Sequence, residues 1–162
     1  MTAITHRIPG LVLTDHTFSI PLDHAQPHGA MIEVFARAVS AAGKEEEELP
    51  WLLFLQGGPG FGAPRPLTLS GWIKRAMSDY HMLLLDQRGT GRSSPVTFQT
   101  LARIATPQAQ AEYLKHFRAD AIVQDAEWIR RTLLGEGTRW SVLGQSYGGF
   151  CATHYLSVAP DA

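Results

Sequence analysis

The stretch WSVLGQSYGGF, Trp140 to Phe150, decides how this chain is read. Trp140 to Leu143 read as a buried strand. The residues that follow, FCATHYLSVA, lack Gly and Pro and read as a helix ending at Pro160. Between the two, Gly144-Gln145-Ser146-Tyr147-Gly148 satisfies G-x-S-x-G, the pattern of a sharp strand-to-helix turn that lifts a serine above a sheet. Glycines on either side remove the Cβ atoms that would clash there, so Ser146 can sit strained and exposed. Its place at a helix N-terminus favours a developing oxyanion. A serine hydroxyl is a poor nucleophile until a base takes its proton, so this reading demands a base.

Two more apolar runs lie upstream. WLLFL (Trp51 to Leu55) and HMLLLD (His81 to Asp86) are short, continuous and followed by Gly-rich loops, as expected of central strands buried on both faces. The loop LQGGPGFGAP, Leu55 to Pro64, offers glycine amides for a second oxyanion donor. It also contains G-x-G-x-x-A, Gly58 to Ala63, with Asp86 ending the next strand, which has the form of a dinucleotide fingerprint. That fingerprint needs a helix starting in the loop to carry the pyrophosphate. Pro64 and Pro66 disfavour helical geometry at Ala63 and Arg65, and there is no Walker lysine, so the nucleotide reading is set aside. In DQRGTGRSSP, Asp86 to Pro95, Asp86 and Arg88 are read as bracing the loop rather than touching substrate.

Between Val12 and Ile20, and from Met31 to Val39, β-branched and aromatic residues interleave with polar ones. Each segment reads as a strand with one exposed face, and PLDHAQPHG is the turn between them. Ile122, Ala126, Ile129 and Leu133 recur at helical spacing until Gly135 and Gly137. Strands alternating with helices imply an α/β architecture with a parallel sheet. No repeat or linker divides residues 1–162, so one domain is expected, and GKEEEE, Gly43 to Glu48, reads as a solvated loop.

A net charge of −1 gives no electrostatic case for nucleic acid or an acidic membrane. No apolar run nears the ~20 residues of a membrane span, and MTAITHRIPG lacks the apolar core of a signal peptide. The single cysteine, Cys151, cannot form an intramolecular disulfide. A cytoplasmic location is therefore expected. His24 and His28 share a Pro-rich turn, but a metal site there would need more ligands than the sequence offers, and neither metal nor cofactor is expected.

Taken together, GGPG, DQRG and GQSYGG resemble the proline iminopeptidase (prolyl aminopeptidase) family of α/β-hydrolases. The longer-chain branch carries LQGGPGFGAPRP and GQSYGG nearly as they stand here. Shorter members usually have His in place of Gln56 and a G-G-S-W-G elbow, a departure that leaves the backbone donors untouched. The resemblance implies an α/β fold, the N-terminal half of an α/β-hydrolase. Its sheet would be mostly parallel, with an antiparallel first strand pair and flanking helices. It also implies that Ser146 is the nucleophile and that the amides of Tyr147 and Gly58 form the oxyanion hole. The implied reaction is release of an N-terminal residue, preferentially proline, from a peptide. This specificity comes from the likeness alone. An esterase or other acyl hydrolase on the same fold, and a non-catalytic truncated fragment, are the alternatives.

The base is the missing part. In α/β-hydrolases the order is Ser, then Asp or Glu, then His. After Ser146 come only His154 and Asp161, in the wrong order. His154, eight residues along the same helix, is ~12 Å from the serine at 1.5 Å per residue, where proton transfer needs roughly 3 Å. The histidines at 6, 16, 24, 28, 81 and 116 all precede the serine. The acid, the histidine, the remaining strands and a substrate-reading cap are therefore expected beyond Ala162, on the same chain or on a second one.

Overall fold

The computed structural model describes residues 1–161. The elements run β1 (Thr2–Ile8), β2 (Leu11–Pro21), β3 (Met31–Ala41), β4 (Trp51–Leu55), α1 (Gly71–Ala76), β5 (His81–Leu85), α2 (Phe98–Leu101), α3 (Pro107–Leu114), α4 (Ala119–Leu134), β6 (Trp140–Gly144) and α5 (Tyr147–Val158). The six strands form one mixed sheet in the order β1-β2-β3-β5-β4-β6.

Strand direction follows from the connections. Parallel neighbours need a crossover, usually helical, whereas antiparallel ones do not. Helices interrupt the chain only after β4, and only there does the sheet become parallel: β4 pairs with β5 and with β6, Leu55 standing level with both Leu85 and Gly144. The ladders β1–β2, β2–β3 and β3–β5 are antiparallel. Parallel pairing thus covers less of the sheet than expected, partly because of β1, a strand that the sequence pattern did not reveal.

Helices cover the sheet on both sides. Leu52 and Phe54 of β4 meet Ile73 and Met77 of the α1 region, while Leu53 and Leu55 point the other way, toward Ile122, Ala126 and Tyr155 of α4 and α5. This two-sided burial is why β4 and β5 read as unbroken apolar runs. Helix α4 matches its expected apolar stripe and stops at Gly135, whose φ of +88° suits glycine.

Two expectations about strands are corrected. The exposed face expected for β2 is reduced to Ser19, with Thr14 and Thr17 half-buried, since Asp15 and His16 are both buried. The carboxylate of Asp15 accepts two bonds from Arg37, at 2.6 and 3.0 Å, and pairs with Arg92. Burial opposes its charge, but these arginines outweigh it and hold Asp15 at about 2. The other correction concerns β6, expected to be buried. It pairs only with β4 among the described residues, leaving Ser141 exposed and Leu143 42% exposed. A strand's burial depends on neighbours on both edges, and β6 has one.

Candidate active site

Strand β6 ends at Gly144 and helix α5 begins at Tyr147, so Ser146 lies in the turn between them. Its φ of +53° is the only positive value at a non-glycine position among the described residues, and its side chain is exposed. Such a conformation costs on the order of 1–3 kcal/mol and persists only where the surroundings enforce it. Here they do. Gly148 N–H donates to Gln145 O at 2.8 Å, and Gly149 N–H to Ser146 O at 2.8 Å. A Cβ on Gly144 would stand 2.1 Å from Gly148 O, and one on Gly148 would stand 2.0 Å from Leu55 O. The two glycines of the motif are therefore the points where the turn closes on itself and where α5 presses on β4.

The GGPG loop lies directly against this turn. Gln145 N–H donates to Leu55 O at 3.1 Å, and a Cβ on Gly57 would come within 3.0 Å of Ser146 Cβ. Neither the Gly58 amide nor the Tyr147 amide is engaged in a hydrogen bond among the described residues. Gly58 has φ +123°, and its backbone is flanked by the ring of Phe61. The loop is pinned from below by Asp86, which is fully buried. Its carboxylate accepts from Ala63 N–H and Arg92 N–H, each at 2.7 Å, and pairs with Arg65. Gly91 makes room for it, since a Cβ there would lie 2.1 Å from Asp86 Oδ2.

Arg88 is buried and braces the same region. It donates to Asp125 Oδ2 at 2.7 Å, to Leu22 O at 2.8 Å and to His116 O at 2.7 Å, tying the loop after β5 to α4 and to the turn after β2. Asp86 and Arg88 thus stand where the sequence reading put them, as braces. The geometry also shows why the Gly58–Ala63 pattern cannot serve a dinucleotide. The next helix, α1, begins only at Gly71, and Asp86 is already enclosed by its own donors.

Beneath the serine turn runs a network the sequence did not announce. Trp140 Nε1–H donates to Tyr155 Oη at 3.0 Å, Tyr155 O–H donates to Glu127, and Arg130 donates to Glu127 Oε1 at 2.8 Å and to Thr138 O at 2.6 Å. Burial raises the Tyr155 phenol above its ordinary value and keeps it a donor, while the Arg130 bond lowers the Glu127 carboxyl. The members come from α4, β6 and α5, so nothing local in the sequence links them. Cys151, also buried, has its thiol pushed by burial up to about 11, which keeps it protonated and inert as a nucleophile.

No histidine is hydrogen-bonded to Ser146 among the described residues. The Ser146 hydroxyl has no side-chain hydrogen-bond partner among the described residues. His81 binds Ser40 Oγ and Glu47 O, each at 2.8 Å, at the start of β5, four residues and so ~13 Å below the level of the elbow. His16 is level with Leu85 but sits on β2, four strand spacings and thus ~19 Å from β6. His24 is held 2.8 Å from Asp125. His154 lies on α5 well past the elbow, as read.

A two-sided sheet, crossover helices and a serine in a left-handed strand-to-helix turn are the marks of an α/β-hydrolase. Residues 50–162 match the family model described as the alpha/beta hydrolase fold, and the chain belongs to that family. It is 53% identical over 156 residues to a proline iminopeptidase of Aeromonas sobria, covering 96% of this chain and 36% of that protein. With a proline iminopeptidase of Aspergillus aculeatus it shares 42% over 165 residues, covering 98% and 37%. The chain thus spans little more than a third of the length of these curated relatives. The crystal structure of an alpha/beta hydrolase from Novosphingobium aromaticivorans superimposes with a TM-score of 0.57 at 18% identity, over 91% of this chain and 40% of that one, a likeness of fold. No helix among the described residues is long and apolar enough to cross a membrane.

Proposed function

We propose that this chain is the nucleophile-bearing part of a serine peptidase that releases an N-terminal residue, preferentially proline, from peptides. The observation that carries the reading is the exposed Ser146 at φ +53°, with the Gly57–Gly58 loop packed against it. Likeness to two proline iminopeptidases supports the choice of substrate.

In this reading Ser146 Oγ attacks the carbonyl carbon of the first peptide bond. The oxygen becomes an oxyanion facing the two unengaged amides, Gly58 N–H in the loop after β4 and Tyr147 N–H at the N-terminus of α5. The amine departs, water releases the acyl group, and the serine is regenerated. A histidine must first take the serine proton and later protonate the leaving amine, with an acid orienting it. Residues 1–162 belong, on this proposal, to a single catalytic domain completed by further sequence of the same enzyme, which contributes the acid, the histidine and a cap. A buried, unpaired Cys151 fits a reducing compartment, and cytoplasmic placement is part of the proposal.

In the complete protein a fluorophosphonate probe should label Ser146, and Ser146→Ala should abolish labelling. Stoichiometric labelling of the alanine variant would overturn the assignment. Proline arylamide should be hydrolysed in preference to short acyl esters. The reverse preference would assign an esterase instead.

A further inference from the structure

Phe61 is an apolar ring left in the open where the reaction is proposed to occur. It is 66% exposed, and the backbone on either side of it is held. On one side Gly60, with φ +105°, directs the chain, and on the other Ala63 N–H is fixed by the buried carboxylate of Asp86. The ring edge lies against Gly58. A Cβ built there would stand 2.9 Å from Phe61 Cδ2. Gly57, the next residue back, lies so close to the serine that a Cβ built on it would stand 3.0 Å from Ser146 Cβ. Phe61, Gly58 and Ser146 are therefore consecutive features of one surface.

We propose that Phe61 determines specificity: its exposed ring is the wall against which the pyrrolidine ring of an N-terminal proline rests. This deepens, and depends on, the prolyl aminopeptidase reading above. The scissile carbonyl oxygen must lie about 3 Å from the Gly58 amide as the oxyanion forms. In a prolyl substrate the pyrrolidine ring is attached directly to that carbonyl carbon. A side chain lying against Gly58 is thus within van der Waals reach of the ring, and two apolar surfaces leave water together. The face of Phe61 can also attract the protonated prolyl nitrogen. An N-terminal alanine carries the same charge but lacks the ring, so a comparison of the two isolates the apolar contact.

The test uses the complete enzyme and the ratio of kcat/KM for proline arylamide to that for alanine arylamide. Phe61→Ala should lower this ratio about 10-fold, the discrimination that small apolar groups give in a hydrophobic site. Phe61→Tyr, which keeps the ring, should restore it. An exposed side chain is a safe place to cut, and circular dichroism of both variants checks the fold. A ratio within twofold of the parent in Phe61→Ala would overturn the proposal. So would an equal loss on both substrates, which would mean that the ring only supports the Gly58 loop. The parent enzyme reports separately on the underlying reading. A parent that prefers proline arylamide but shows no change of ratio in the variant overturns only the role of Phe61, whereas a parent that prefers acyl esters overturns both.

Discussion

Gly58 and Asp15 show how much, and how little, a single residue reveals from its neighbours in sequence. At Gly58 the φ of +123° strains any side chain, and a Cβ would stand 3.0 Å from the backbone N of Gly60 and 2.9 Å from the Phe61 ring. On the proposed mechanism, Gly58→Val should turn the amide away from the forming oxyanion. One such donor is worth about 2.7–4 kcal/mol of barrier, so kcat in the complete enzyme should fall at least ~100-fold. An unchanged kcat would show that another amide is the donor. The strain at Ser146 was legible in the same way, because the glycines that permit it sit two residues to either side and act locally. Asp15 was not legible. Its partners Arg37 and Arg92 lie 22 and 77 positions away, and only the fold brings them to a carboxylate that reads as the polar face of a strand. Because this carboxyl is held at about 2, below its ordinary 3.8, its stabilisation is complete above pH ~4 and lost as pH falls through about 2. Asp15→Asn should therefore lower the thermal midpoint at pH 7 and flatten its decline between pH 4 and 2. A variant that loses stability as steeply as the parent across that window would contradict this account.

Secondary structure was legible where an element's own residues decide it and illegible where its neighbours do. The runs in β4 and β5 and the stripe of α4 announce themselves because both faces of the strands, and one face of the helix, are filled from the element's own sequence. Strand β1 is almost wholly exposed and so carries no burial pattern to read. The joints between elements also lie outside local pattern, and they can be tested. Gly148→Ala puts a Cβ 2.0 Å from Leu55 O, so α5 can remain on β4 only by shifting. Overpacking of this kind costs about 1–3 kcal/mol, and the same shift should reduce fluorophosphonate labelling of Ser146. Arg88 joins three elements at once. Arg88→Met removes the guanidinium that Asp125 pairs with and leaves the buried carboxylate only His24, which should cost about 3–5 kcal/mol in denaturant unfolding, while adding Asp125→Leu should recover most of it. If the single and double variants are equally unstable, the pair is not the brace described here.

At the scale of the whole molecule the proposed nucleophile and the proposed oxyanion loop stand side by side, but no side chain among the described residues is bonded to the Ser146 hydroxyl. No histidine is hydrogen-bonded to Ser146: His24 and His81 are held by other partners, His16 lies four strands away and His154 sits well past the elbow on α5. Removing the histidine of a serine triad costs on the order of 10⁶ in kcat, as judged from subtilisin. Residues 1–162 expressed alone should therefore give no measurable turnover of proline arylamide. The sheet predicts the physical state of that piece. Strand β6 presents one row of backbone groups to β4 and leaves the other unpaired, beside an exposed Leu143 and the exposed Phe150 and Leu156 of α5. An apolar strand with a bare edge is a template for pairing with another chain. The isolated piece should accordingly self-associate, eluting from a sizing column well ahead of a 17.8 kDa monomer. Lysine placed at Leu143 should reduce that association by charging the edge, without touching the glycines that shape the elbow. On the proposed reading, the further sequence of the enzyme, added as a separate chain, should occupy the edge, suppress association and restore hydrolysis together, since one pairing event would supply both a neighbouring strand and the histidine. A monomeric 1–162 piece that cleaves proline arylamide near the rate of the complete enzyme would sink this account, because one of its own histidines would then have to reach Ser146.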